Sequence, residues 1–276
     1  MAGFFADVTP LRTRDFRRLF LAGVVTVIGA NLTIFAVPVQ IYALTQNSAY
    51  VGLSGVFALV PLVVFGLWGG AWADLMDRRV LLIIASCGLA AASVLLWLQA
   101  ALSINNIWVV MCLLAVQQAF FAINSPTRTA AISRIVPGDQ LPAASSLNFT
   151  VFQFGAIVGP LLAGVMLRWV DLSTLYLIDA ITCIVPIWAT VRLAPIPPAN
   201  GDAESSGWGF RAVLDGFRYL AGNTVVLMSF VVDLIAMIFG MPRALFPQMA
   251  HESFGGPVEG GTTMALLSAA IAAGAV

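Results

Sequence analysis

Two carboxylates sit where carboxylates are costly. Asp179 and Asp233 each fall inside a long apolar run of a 276-residue chain in which 60% of residues are hydrophobic and only 9% are charged. Placing such a charge at the centre of a membrane helix costs about 2.5–3.5 kcal/mol, which makes an intramembrane acid a functional candidate by default. Keeping it protonated at pH 7 costs about 4 kcal/mol against a reference pKa of roughly 3.9. The two costs are comparable. For Asp233, eight residues beyond Val225 and about 12 Å into its run, a change in hydration or a nearby positive substrate therefore tips the group between its forms, as proton coupling requires. Asp179, about 8 Å from the outer end, is the second candidate. The alternative role for each acid is a structural hydrogen bond or ion pair, with Arg243 the nearest cation to Asp233 along the chain. The same runs hold Asn31, Gln40, Gln117, Gln118, Asn124 and Gln153. These groups are costly against lipid and are expected to line a cavity or face another helix. Gln117 and Gln118 are adjacent and point about 100° apart, so one of them is expected to bond another helix.

The elements that carry these groups follow from composition. Mean hydropathy is +0.96, outside the range of soluble domains. Apolar runs stand near 19–44, 50–73, 80–102, 107–124, 143–167, 174–191, 224–247 and from 262 onward. Most approach the ~20 residues that a helix needs to cross ~30 Å of hydrocarbon. Seven spans are expected complete and the eighth cut short. The runs are continuous and not alternating, so helices fit them and a barrel does not. The fold class is all-α, a polytopic membrane protein. The first run follows Arg12, Arg14, Arg17 and Arg18 but is too long for a signal peptide and has no clear small-residue cleavage pattern, so it is read as retained.

Arginine placement sets orientation. Arg12, Arg14, Arg17, Arg18, Arg78, Arg79, Arg128, Arg134, Arg192, Arg211 and Arg218 fall on one side, leaving Arg168 and Arg243 on the other. The positive-inside rule then makes the N-terminus cytoplasmic, in a cell inner membrane. Cys87, Cys112 and Cys183 all lie in spans and read as packing residues. No cofactor and no metal site is expected, and nothing points to nucleic acid.

All thirteen basic residues are arginine. Without lysine there is no Walker phosphate loop and no Schiff base, so energy must come from an ion gradient, the substrate's own gradient or a separate subunit. A membrane enzyme is disfavoured for want of residues, since the single histidine, His251, falls in an outer loop and no His-Glu-x-x-His occurs. His251 is expected to be a solvated loop residue.

Residues 194–207 are rich in Pro, Gly and Ser without hydrophobic period, which marks a linker. Beyond it, Phe217-Arg218-Tyr219-Leu220 echoes Phe16-Arg17-Arg18-Leu19, and Phe239-Gly240-Met241-Pro242 echoes Phe35-Ala36-Val37-Pro38. The echo predicts two parallel halves with substrate held between them. Three regions result: a six-helix bundle over 1–193, a cytoplasmic linker over 194–222, and over 223–276 the start of a second bundle, whose remainder is an implied missing partner.

Several stretches carry a resemblance that covers essentially all of the chain. They are Val37-Pro38-Val39-Gln40-Ile41-Tyr42 with Val51-Gly52-Leu53, and the loop Gly70…Asp74…Asp77-Arg78-Arg79. Ser125-Pro126-Thr127-Arg128 with Val136-Pro137 follows, then Gly155-Ala156-Ile157-Val158-Gly159-Pro160-Leu161-Leu162-Ala163-Gly164. Together they resemble the major facilitator superfamily and, within it, the enterobactin-exporter and drug:proton antiporter group. The resemblance implies that the loop is a cytoplasmic latch, holding the two bundles together in the outward-facing state and releasing during alternating access. Leu75 stands where the family has a basic residue and Asp77 where it has glycine. Asp74 and Arg78, four apart, can pair with each other or with helix ends. Read on residues alone, Arg78 and Arg79 could equally be topology determinants. Gly155, Gly159, Pro160 and Gly164 match the Gly-rich helix of the family's exporters, although small-residue packing gives similar patterns. The implied activity is proton-coupled efflux of a lipophilic or amphiphilic small molecule, a drug or siderophore. Uptake on the same fold and a non-transporting half that needs its partner are the alternatives.

Overall fold

A computed structural model describes residues 7–197, 218, 222–240 and 243–274, with backbone alone for 70, 71, 73–75, 230, 234, 236–240 and 272. Most of the 194–222 linker and part of both echoes lie outside the described residues. Five long helices come first: α1 (Arg14–Thr45), α2 (Ser48–Leu75), α3 (Arg78–Ala101), α4 (Ile107–Ile135) and α5 (Leu141–Met166). Side-chain caps start three of them. Asn47, Asp77 and Asn106 each accept from the backbone N–H two residues on, satisfying donors that a helix start leaves open.

Next come α6 (Leu172–Thr182) and α7 (Ile184–Val191), which together make one 20-residue apolar span. Pro186 explains the interruption at Cys183. It has no N–H to offer the Thr182 carbonyl, and it is tolerated in the first turn of the helix that follows. Among the described residues, six stretches are long and apolar enough to cross a membrane, and the chain is a multi-pass membrane protein.

The fourth span is longer than its apolar run predicts. Its helix continues past Asn124 to Ile135, with Pro126 inside it, so Arg128 lies within the helix. The seventh is shorter. Helix α8 (Thr224–Gly240) has 17 residues, and the segment after it is built of 3-10, α and π turns over 243–253. Helix α9 (Thr262–Ala273) follows.

The helices form an open ring, with α2 on α4, α4 on α3, α3 on α6, α6 on α1 and α1 on α5. Helix α1 also touches α4, and α9 packs on α5. The glycines of α5 permit these approaches. A Cβ on Gly155 or Gly159 would strike Val27 or Asn31 of α1, and one on Gly164 would strike Ala265 of α9 and stand 2.7 Å from the Gly261 carbonyl. Between helices in lipid, such close packing replaces the hydrophobic effect as the source of cohesion.

Replacing Gly159 by Leu is therefore expected to destabilise the bundle by about 1–3 kcal/mol, the usual cost of overpacking. Gly66→Leu, at a position with nothing within 4 Å, should be neutral. Thermal unfolding in detergent, followed by tryptophan fluorescence, measures both.

Candidate functional site

Asp179 occupies the interior of the bundle at 1% exposure. Three other helices supply donors to it. Thr33 Oγ1 of α1 donates to Asp179 Oδ2 at 2.7 Å, and Ser93 Oγ of α3 donates at 2.8 Å. Gln117 Nε2 of α4 approaches the same oxygen at 3.5 Å and Ser93 Oγ at 3.3 Å. A buried carboxylate needs such donors, because an unmet one costs the full desolvation penalty.

One turn away on α6, Tyr176 Oη donates to Gln40 Oε1 at 2.8 Å. The Gln40 and Gln99 amides bond each other reciprocally at 3.1 and 3.2 Å. In the other direction Asn124 Nδ2 donates to Ser86 Oγ at 3.2 Å. Polar groups therefore run along the core from the Gln40 pair, through Asp179, to Asn124.

The remaining expected cavity residues do different work. Asn31 spends its amide on the Val27 carbonyl of its own helix at 2.8 Å, beneath Gly159. Gln118 and Gln153 are half-buried, and neither makes a side-chain hydrogen bond among the described residues. Asp233 is exposed on α8, away from the Asp179 network, and no ion pair joins it to Arg243 among the described residues.

Thr33, Ser86, Ser93, Gln99 and Tyr176 escape the sequence reading. One signal for them exists. Ser86 and Ser93 are seven apart on α3, as are Gln117 and Asn124 on α4, and two turns of helix put each pair on one face.

The loop between α2 and α3 is pinned at the arginine-rich end. Asp77 Oδ1 accepts from the Arg79 N–H at 2.8 Å and from the Ile196 N–H at 3.2 Å, while the Arg78 N–H donates to the Ile196 carbonyl at 3.1 Å. Arg79 Nη2 donates to the Val191 carbonyl at 2.6 Å. Ile196 itself is buried among Phe16, Leu82 and Leu193. Gly70 lies in α2, and the side chain of Asp74 lies outside the described residues, as does any pair it makes with Arg78.

At the opposite end, side chains join α1 and α2 to the segment after α8. Tyr42 Oη donates to Glu252 Oε1 at 3.2 Å, Gln248 Nε2 to Glu252 Oε2 at 2.9 Å, and Ser48 Oγ to Gln248 Oε1 at 2.7 Å. His251 is half-buried, with Nδ1 2.8 Å from the Gly256 carbonyl, which corrects its expected place as a solvated loop residue. Among the described residues no group of three or more His, Cys, Asp or Glu could hold a metal ion.

The sequence matches the family model described as Major Facilitator Superfamily over residues 19–276. It is 26% identical over 240 residues to the enterobactin exporter EntS of Shigella boydii serotype 18 (strain CDC 3083-94 / BS512), covering 86% of this chain and 56% of that one. EntS of Escherichia coli O1:K1 / APEC matches at 25% over the same shares. The chain thus spans about half the length of these curated relatives. Among solved structures, a POT family transporter in complex with a thioalcohol-conjugated peptide superposes with a TM-score of 0.53 at 14% identity, covering 87% of this chain and 53% of that one. At that identity the likeness concerns the fold alone.

Replacing Asp77 by Ala removes both the α3 cap and the anchor of Ile196. The expected cost is about 1 kcal/mol, or a roughly fivefold rise in local opening. Limited trypsin cleavage after Arg192 should quicken by that factor, whereas Asp77→Asn, which still caps, should cleave as the wild type does.

Proposed function

The chain belongs to the major facilitator superfamily, and from that premise we propose a secondary transporter that acts as a proton-coupled efflux carrier for a lipophilic or amphiphilic small molecule. One observation carries the coupling role: Asp179 holds donors from three neighbouring helices through a single oxygen. Charge-assisted hydrogen bonds are about twice as strong as neutral ones. Protonation therefore loosens Thr33 and Ser93 from α6, and deprotonation draws them back. A proton at Asp179 is thereby converted into a change in how α1 and α3 sit against α6.

Two features support export over uptake. The small-residue face Gly155, Gly159, Pro160 and Gly164 resembles the exporters of the superfamily, and the relatives named above carry an exporter's name. That name also supports a siderophore as cargo. We place the arginine-rich end in the cytoplasm of the inner membrane by charge bias. Gly70, Asp74, Asp77, Arg78 and Arg79 then form a cytoplasmic latch, and the Tyr42, Glu252, Gln248 and Ser48 contacts close the outer end. The substrate path lies between the 1–193 bundle and the helices from 223 on, joined through the 194–222 linker. Transport is accordingly tested on the longest reading frame that contains these residues.

Cells expressing that frame should accumulate less of a panel of fluorescent drugs and siderophores than control cells, and a protonophore should abolish the difference. Asp179→Asn is expected to reduce efflux by about tenfold or more, equivalent to ~1.4 kcal/mol of lost coupling. Asp233→Asn, outside the Asp179 network, should stay near wild type. Proton-driven accumulation inside the cell would instead establish uptake on the same fold and end the export reading.

A further inference from the structure

Arg128 lies in α4 seven residues before its end at Ile135, about 10 Å into the helix from that end. Nη2 donates to the Leu19 carbonyl of α1 at 2.8 Å. The guanidinium rests on Gly23, where a Cβ would stand 3.1 Å from Cζ and 3.2 Å from Nη1 and would strike Nη2. Among the described residues no carboxylate stands within ion-pair distance of it, the only ion pair being Arg18 with Asp15. The side chain is half-buried, and the donors that Leu19 does not use are not sealed in the interior. A guanidinium carries five N–H groups in a planar fork suited to a carboxylate. A permanent cation packed against another helix without a counter-charge has a place for one.

Beside it lies an apolar cleft. Between α1 and α5 a volume of about 250 Å³ is lined by Val24, Val27, Ile28, Val151 and Phe154, with Thr150 at its edge. Gly23 and Val27 are four apart, so the guanidinium and the cleft are neighbours along α1, about 6 Å apart in height. We infer that Arg128 and this cleft form a binding site for an amphiphilic organic anion, with the acidic group on the guanidinium and a ring or chain against Val27 and Phe154. The inference rests on the transporter reading and narrows its cargo to anions. Gly23 belongs to the site because any larger residue would displace the guanidinium that it seats.

The test uses the 276-residue chain in nanodiscs of zwitterionic lipid, read by energy transfer from its tryptophans to pyrene, with empty nanodiscs as baseline. The probes are 1-pyrenebutyrate and its neutral counterpart 1-pyrenebutanol. Pyrenebutyrate should bind at least about tenfold more tightly. Arg128→Gln should erase that preference while leaving pyrenebutanol unchanged, and Arg128→Lys should keep part of it, because the charge survives while the fork is lost. Thr150→Phe, at an exposed position of α5, should fill the cleft and weaken both probes without adding an energy donor. If Arg128→Gln fails to fold, the comparison of Arg128→Lys and Thr150→Phe with wild type still decides. Binding no better than to empty nanodiscs, equal affinity for the two probes, or a preference that survives Arg128→Gln would overturn the site. Binding is read without a proton gradient, so failure of export and failure of this site are distinguishable.

Discussion

A carboxylate buried among apolar helices dictates much of what surrounds it. Asp179 cannot keep its place without donors, and at that depth water does not supply them. Thr33, Ser93 and Gln117 supply them from α1, α3 and α4. Each of those helices is thereby fixed in rotation and in height against α6. The interruption at Cys183 falls one turn beyond Asp179, where the Asp179 carbonyl accepts from both the Cys183 N–H and the Thr182 hydroxyl. Helix α5, which contributes nothing to the carboxylate, is held by a different means, the close fit of Gly155 and Gly159 on α1.

Sequence alone marks both Asp179 and Asp233 and favours Asp233, which lies nearer the centre of its run, because depth along a span is all that it can weigh. Hydropathy gives the depth of a residue along a span, but an apolar helix has no polar face from which to read direction. Asp179 points into the core and Asp233 is exposed. Adjacent residues show the same limit. Gln117 reaches Ser93 and Asp179, whereas Gln118, about 100° away, does not. Thr33 and Ser93 were harder still, because hydroxyls in such helices often bond their own backbone, as Thr26, Thr45 and Thr127 do here. The spans themselves were legible, except at their ends. The apolar run stops at Asn124, yet α4 continues through Pro126 to Ile135, since neighbouring helices and side chains support the groups that a proline frees in a membrane bundle.

The two ends of the molecule are closed by different chemistry. At the arginine-rich end the contacts are made to backbone: Asp77 to the Ile196 N–H, Arg78 N–H to the Ile196 carbonyl, Arg79 to the Val191 carbonyl. Asp77 stands where the family's loop has glycine, and it uses its side chain as a cap and an anchor. Its departure from the pattern was visible in sequence. Its partner was not, because Ile196 lies more than a hundred residues away in a proline-rich stretch that reads as linker. At the other end the contacts are between side chains that reach across from α1 and α2 to the segment after α8. Side-chain contacts of that kind can part without unwinding a helix.

Helix α1 makes contacts along its whole length. Its Leu19 carbonyl receives Arg128, Asn31 lies under Gly159, Thr33 holds Asp179, and Tyr42 meets Glu252. The nine residues from Thr33 to Tyr42 span about 13 Å, with Pro38 between them as the point where the helix can bend. A shift of α1 as a whole that lengthens the Thr33 bond also moves the Tyr42 hydroxyl, whose bond to Glu252 is already 3.2 Å. Hydrogen bonds weaken quickly beyond that distance. The Thr33 bond to Asp179 and the Tyr42 bond to Glu252 thus both depend on where one helix sits, and Pro38 sets how far a shift at one carries to the other.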